Sequence, residues 1–216
     1  MSRLLAIETT GSVCGAAISI DGTLIACTEV VRSNVHDELL AEIVTETCRL
    51  ADVALQDVNV VAVSSGPGSF TGLRIGASFA KGLCFSSQSS LLSVPTHQAL
   101  MAASMEVAQQ AGKTKIFSCI PSHGDLLYVS SCGPDLFDVY SPLDICSIDE
   151  TQAMLSCDSL VVGPGAGLVI DSPISGLNRL SPRFVAYAAW LLMAKGVPFV
   201  DADTFVPNYH QDFKPR

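Results

Sequence analysis

A chain of 216 residues, 49% hydrophobic and only 15% charged, has the material for a substantial core, which excludes a disordered linker or a fibrous repeat. Its formal net charge is −9, and its 12 basic residues are scattered singly, which excludes the basic stripe by which a protein grips nucleic acid unaided. No apolar run reaches the roughly 18–20 residues of a spanning helix, and Glu8 interrupts the apolar start before it could form a secretory leader; a cytoplasmic location is expected.

In chain order, residues 3–9, 13–20 and 23–31 read as three strands, with Asp21-Gly22 as a hairpin turn between the second and third. Residues 36–51 form an amphipathic helix. Leu39, Leu40, Ile43, Val44, Thr47 and Leu50 share one face, and Asp37 and Glu38 sit in the first turn, where the helix dipole favours acids. Asn34 is a candidate cap, and His36 a candidate hydrogen-bonding group at the helix start. Such a stripe is core or an interface, and periodicity does not choose between them.

The apolar run 58–63 reads as a buried strand feeding the stretch Gly66-Pro67-Gly68-Ser69-Phe70-Thr71-Gly72-Leu73-Arg74-Ile75-Gly76, which opens a helix running from about Thr71 to Ser87. Gly66, Gly68 and Ser69 make an elbow whose free N–H groups could hold a phosphate, or simply a tight turn. Ser69 and Thr71 are both candidate caps. Beyond it, Gly72, Gly76 and Ala80 recur every four residues as a ridge of small side chains, which calls for a closely approaching partner within this chain or on another. By helical phase Arg74 is exposed and available for a cross-chain ion pair.

Residues 90–95 form another strand and Thr96 caps a helix reaching about Gln110, so a domain boundary falls near 95–97. Strands at 115–120, 126–132 and 137–140 follow, and Ser147-Ile148-Asp149-Glu150 opens a short helix by capping logic. A strand at 159–162 runs into Gly163-Pro164-Gly165, a second glycine loop that is either an ordinary turn or, with Gly163 and Gly165, near a nucleotide. Ser181-Pro182 begins a last, almost wholly apolar helix. The tail from Asp201 has Tyr209 and Phe213 as candidate anchors. Three segments result: 1–96, 97–180, and 181–216 packing back on the lobes.

The eight cysteines show no C-x-x-C spacing and read as reduced structural thiols. The four histidines are isolated, so no metal site is expected. Ser69 lacks the flanking glycines of a serine-hydrolase elbow, and no catalytic residue is assigned.

The run at 66–76, with Leu4-Leu5-Ala6-Ile7-Glu8-Thr9-Thr10, His36 with Glu38, and Phe205-Val206-Pro207-Asn208-Tyr209, resembles the TsaB (YeaZ) family. These are relatives of TsaD and of the glycoprotease-like M22 group, needed for threonylcarbamoyladenosine (t6A) formation on tRNA. The resemblance is strong to about Pro95 and looser beyond. It implies a two-lobed α/β fold of the actin/hexokinase/Hsp70 (ASKHA, ribonuclease H-like) superfamily, in which an acidic residue ends the first strand. Glu8 stands there, where the family more often has Asp; its plain alternative is a surface carboxylate. The resemblance also implies a non-catalytic scaffold or activator of TsaD in making t6A at position 37 of tRNAs reading ANN codons. Its partners would be TsaD, a TsaE-like ATPase and a second copy of itself when alone. tRNA would be met only through the complex, with no cofactor on this chain and ATP at the complex level. The implied pairing surface is the face of the 36–51 and 71–87 helices, here His36, Leu39, Leu40, Ile43, Leu50, Gly72, Arg74, Gly76 and Ala80. The stretch 120–125 departs from the family, with Pro121 and His123 in place of an acidic and basic pair. An independent ATPase or kinase on the same fold is the alternative, and the lack of a zinc triad argues against a metallopeptidase.

Overall fold

A computed structural model describes residues 1–32, 34–134 and 141–210. The chain divides into two compact units, residues 1–96 with 181–216, and residues 97–180.

In the first unit, β1 (Arg3–Glu8), β2 (Val13–Ile20), β3 (Thr23–Val31), β4 (Val60–Ser64) and β5 (Ser90–Val94) form one sheet in the order β3-β2-β1-β4-β5. β1 runs antiparallel to β2 and parallel to β4, and β4 is parallel to β5. The β2–β3 turn has Asp21 at φ 47° and Gly22 at φ 86°, the doubly left-handed pair a two-residue hairpin requires. Helices cover both faces, which is why the strands read as continuous apolar runs. Against one face lie α1 (His36–Leu50) and α2 (Phe70–Ser87), whose Leu40, Ile43, Val44, Ala80 and Leu83 pack with Leu5, Ile7, Ile18, Val61 and Val63. Against the other lies α6 (Pro182–Ala194), whose buried Ala186, Ala188 and Ala189 suit a strand face of Ala6, Gly15, Ala17 and Ala62. A Cβ on Gly15 would come within 2.9 Å of Pro182, so the close seat of α6 needs glycine there.

The second unit holds a four-stranded sheet in the order β8-β7-β6-β9, from β6 (Lys115–Pro121), β7 (Leu126–Cys132), β8 (Asp144–Ser147) and β9 (Ser159–Val162). α3 (Thr96–Gln110) precedes it, and α4 (Ile148–Met154) and α5 (Ala166–Val169) pack on one face around Phe117, Val129 and Val161. The short strand β8 was not legible in the sequence. Its DICS pattern is brief, and pairing with β7 makes the strand. The strand expected at 137–140 lies outside the described residues.

The caps differ in part from expectation. Ser147 and Glu150 form the full capping box of α4. Ser69, not Thr71, caps α2, its Oγ accepting from Gly72 N at 3.3 Å. Asn34 does not cap α1: Val35 holds that place without a side-chain bond, and Asn34 takes φ 60° one residue earlier. Thr96 is the first residue of α3 rather than its cap. Ser181 precedes α6 with Pro182 at the first helical position, yet its hydroxyl donates to Glu29 Oε2 at 2.8 Å instead of capping.

Candidate functional site

The elbow between β4 and α2 is built around Glu8. Its side chain is wholly buried, so the surface-carboxylate alternative does not hold. Thr10 donates its backbone N–H and its hydroxyl to Oε1, each at 2.6 Å, and the Ser64 hydroxyl donates to Oε2. Burial raises the Glu8 pKa above the ordinary carboxylate range, while the bonds from Ser64 and Thr10 oppose that rise. Those bonds fix the turn after β1, and the turn fixes α2. Ser69 N donates to the Thr10 carbonyl at 2.7 Å, and Thr9 Oγ1 donates to the Gly72 carbonyl at 2.8 Å.

The close approaches that the glycines permit are therefore internal. A Cβ at Gly72 would collide with the Thr9 carbonyl oxygen, and one at Gly76 with Thr9 Oγ1. Ala80 is fully buried in the core beneath. Gly72, Gly76 and Ala80 thus form no interface surface; their partner is the turn and sheet of the same chain. Gly66 (φ 110°) faces the Asn208 carbonyl and Gly68 (φ 159°) faces Thr10, so the missing side chain at each makes room for a close approach within the chain. In the second unit, Gly163 (φ 97°) and Gly165 admit the Cys119 carbonyl of β6 at 2.6 and 3.0 Å from a would-be Cβ. Their smallness serves the close packing of this loop on β6.

The α1 residues divide similarly. Leu40 and Ile43 are buried in the core, as is His36, whose Nε2 lies 3.1 Å from the Val13 carbonyl. These three are spent within the chain and leave the interface set. Leu39 is half-buried and Leu50 is 55% exposed. Arg74 is exposed, but its guanidinium lies 4.1 Å from the Phe70 ring centre and 5.9 Å from that of Tyr209, so a stack within the chain already engages it.

The tail expected from Asp201 starts earlier than the sequence indicated and covers the elbow from behind. Residues 197–209 form a strap. Val200 N donates to the Leu91 carbonyl at 2.9 Å and Asn208 N to the Ser65 carbonyl at 2.8 Å, while Tyr209 stacks on Phe70 at 4.8 Å. Lys81 Nζ donates to the carbonyls of Asp203 and Phe205 at 3.0 and 3.2 Å. Tyr209 serves as the anchor expected of it; Phe213 lies outside the described residues. Lys81→Met should leave the core intact but speed proteolytic cleavage after Val200 severalfold, because two strap carbonyls lose their donor. Equal cleavage rates would assign the hold on the strap to Val200, Asn208 and Tyr209.

In front of the elbow is an open cleft of about 450 Å³ lined by Gly11, Ser12, Asn34, His36, Asp37, Ser69, Thr71, Gly72 and Ile75. It offers hydroxyls, one exposed carboxylate and an imidazole already tied to Val13. Phosphoryl transfer asks for cationic clamps and a positioned base, and this lining supplies no lysine or arginine.

The other exposed feature is the outer face of α2. Thr71, Ser78 and Gly82 are exposed and Ile75 and Phe79 half-buried, at spacings of three and four that set them on one stripe. Nothing lies within 4 Å of a Cβ placed on Gly82. Here, beside the internal ridge and rotated around the same helix, is a strip of small and apolar residues open to another helix. The phase of the stripe was readable in the sequence. Which of two small-residue stripes faces the sheet was not.

Residues 30–119 match the family profile "TsaD: tRNA N6-adenosine threonylcarbamoyltransferase". The chain is 31% identical over 126 residues to the tRNA threonylcarbamoyladenosine biosynthesis protein TsaB of Escherichia coli K12, covering 58% of this chain and 53% of that protein. Over 116 residues it is 34% identical to the tRNA N6-adenosine threonylcarbamoyltransferase of Geobacter sulfurreducens, covering 46% of this chain and 34% of the relative. The matches thus span about half, or less, of the curated relatives' own length. The solved structure of YeaZ from Pseudomonas aeruginosa superposes with a TM-score of 0.81 at 24% identity, over 97% of this chain and 100% of that one, and so shares its two-sheet α/β fold. The elbow motif lies inside the profile-matched segment 30–119, and the sequence matches support assigning the chain to the TsaB (YeaZ) family.

Proposed function

We propose that this chain is a non-catalytic scaffold and activator of a TsaD-type enzyme in forming t6A at position 37 of tRNAs that read ANN codons. The observation that carries this reading is the open α2 stripe of Thr71, Ile75, Ser78, Phe79 and Gly82 beside the exposed side of α1, a surface suited to another helix pair. The acidic net charge of −9 supports contact with tRNA through the assembly rather than through this chain. On this reading a TsaE-like ATPase joins the assembly, and ATP is used there rather than held here. A second copy occupies the face when the chain is alone, and the protein works in the cytoplasm.

The test is an omit-one reconstitution with tRNA, threonine, bicarbonate, ATP and the cognate enzymes, alongside ATP hydrolysis by this chain alone. Modification should fall to background without the chain, the chain alone should not hydrolyse ATP, and Gly82→Arg should behave as omission. Brisk hydrolysis by the chain alone would instead favour an ATPase or kinase, the reading to which the cleft before α2 lends its one supporting observation.

A further inference from the structure

The sheet of the second unit is covered unevenly. Phe117 stands opposite Ser131, Cys119 opposite Val129, and Val129 opposite Asp144. Opposite residues share a face, as do residues two apart on a strand, so Lys115, Phe117, Val129, Ser131 and Asp144 all point to the side on which α4 and α5 pack. With seven and four residues, those helices are too short to cover it, and a cavity of about 180 Å³ stays open over the strands. Its floor is apolar: Phe117, Val129, Met154 from the end of α4, and the Cys146 thiol. Burial, then the charges of Asp144 and Glu150, push that thiol up, so it lines the floor as a neutral group. The rim carries charges of both signs. Lys115 leans over the Phe117 ring, its Nζ 4.8 Å from the centroid, an arrangement that leaves the ammonium charge intact. Asp144 supplies a carboxylate from β8. Both are exposed, and among the described residues neither has an ion-pair partner. Their strands flank β7, ~10 Å apart at the backbone. On β7 between them, Ser131 Oγ lies 3.3 Å from Ser141 Oγ, a contact that uses one hydroxyl proton and leaves the other to donate.

We propose that this cavity binds a small α-amino acid, its carboxylate held by Lys115, its ammonium by Asp144, and a short aliphatic side chain laid on Phe117, Val129 and Met154. Two opposite charges that line one small cavity without pairing are satisfied together by a molecule carrying both charges on neighbouring atoms. A singly charged molecule leaves one of them without a counter-charge, and an apolar one leaves both. The room is that of about six waters at ~30 Å³ each, which suits a small amino acid and is too little for a nucleotide. Met154 is half exposed, and its flexible thioether chain is able to fold over a bound aliphatic group. The site lies wholly within the second unit and is independent of the α2 stripe.

The probe is L-valine, titrated to ~20 mM into the isotopically labelled full chain while backbone amide shifts are followed by NMR, a range suited to a ligand of so few atoms. Isobutylamine and isovalerate, which are valine without its carboxylate and without its ammonium, are titrated in parallel. Valine should shift the amides of Phe117, Ser131 and Asp144 saturably and bind about tenfold more tightly than either analogue, since each analogue gives up one charge-assisted contact. Lys115→Met should weaken valine by on the order of tenfold and bring it level with isobutylamine. Asp144→Asn should weaken it similarly and bring it level with isovalerate. A merely structural effect of either substitution would weaken all three molecules alike. No saturable shift at the top concentration, valine no tighter than its analogues, or variants that keep the native discrimination would each overturn the assignment.

Discussion

Gly76→Leu should unfold the protein rather than yield a folded chain that has lost its partner. The first atom of the new side chain already collides with Thr9 Oγ1, and Val63 Cγ2 lies 3.5 Å away, so nothing soft can yield. Relief requires α2 to lift from the turn, which breaks the bond from Thr9 Oγ1 to the Gly72 carbonyl and uncovers Ala80 and Leu83. Overpacking at a site with no slack costs about 3 kcal/mol or more, a large part of a typical domain's stability. Gly82→Arg is the contrasting case. The site is exposed and open, and replacing a helical glycine by arginine gains somewhat under 1 kcal/mol of helix propensity. Urea melts followed by circular dichroism check both. The Gly76→Leu midpoint should fall far below that of the native chain, and the Gly82→Arg midpoint should equal or exceed it. An unshifted Gly76→Leu midpoint would mean that α2 does not sit on Thr9.

The second large effect is a dependence of stability on pH that belongs to Glu8. The group is buried with Ser64 and Thr10 as its hydrogen-bond donors, and its folded pKa is raised by desolvation, which those bonds only partly offset. A carboxyl with a raised folded pKa binds its proton more tightly in the folded chain than in the unfolded one. Its contribution is therefore complete below the unfolded value and is lost as pH climbs through the folded value. Each pH unit crossed before the folded group ionises costs about 1.4 kcal/mol. The Cys14 thiol, itself pushed up to about 11 by burial and then by the Glu8 charge, stays protonated through this window. Glu8→Gln keeps the shape and the acceptor for Thr10 and removes the titration. Its stability should match the native chain near pH 4, exceed it at pH 8, and vary less between them. Parallel stability profiles for the two proteins would show that Glu8 does not titrate in the folded state.

The sequence by itself determined most of the elements, because each rests on a local signal. The Asp21-Gly22 turn, the buried runs at 58–63 and 90–95, the Ser147 box and the Ser-Pro start of the last helix all carry their own chemistry within a few residues. The elbow motif likewise carried the resemblance to the TsaB (YeaZ) family. What only the tertiary structure decided was where small and polar residues are spent. Gly72 and Gly82 are equally small and lie on the same helix, but one meets a Thr9 carbonyl contributed from sixty-three positions earlier and the other meets open space. Glu8 reads as a strand-end carboxylate until the parallel pairing of β1 with β4 brings Ser64 against it. Periodicity reports which residues share a helix face. It carries no information about what covers that face, because the covering groups arrive from distant parts of the chain through sheet pairing.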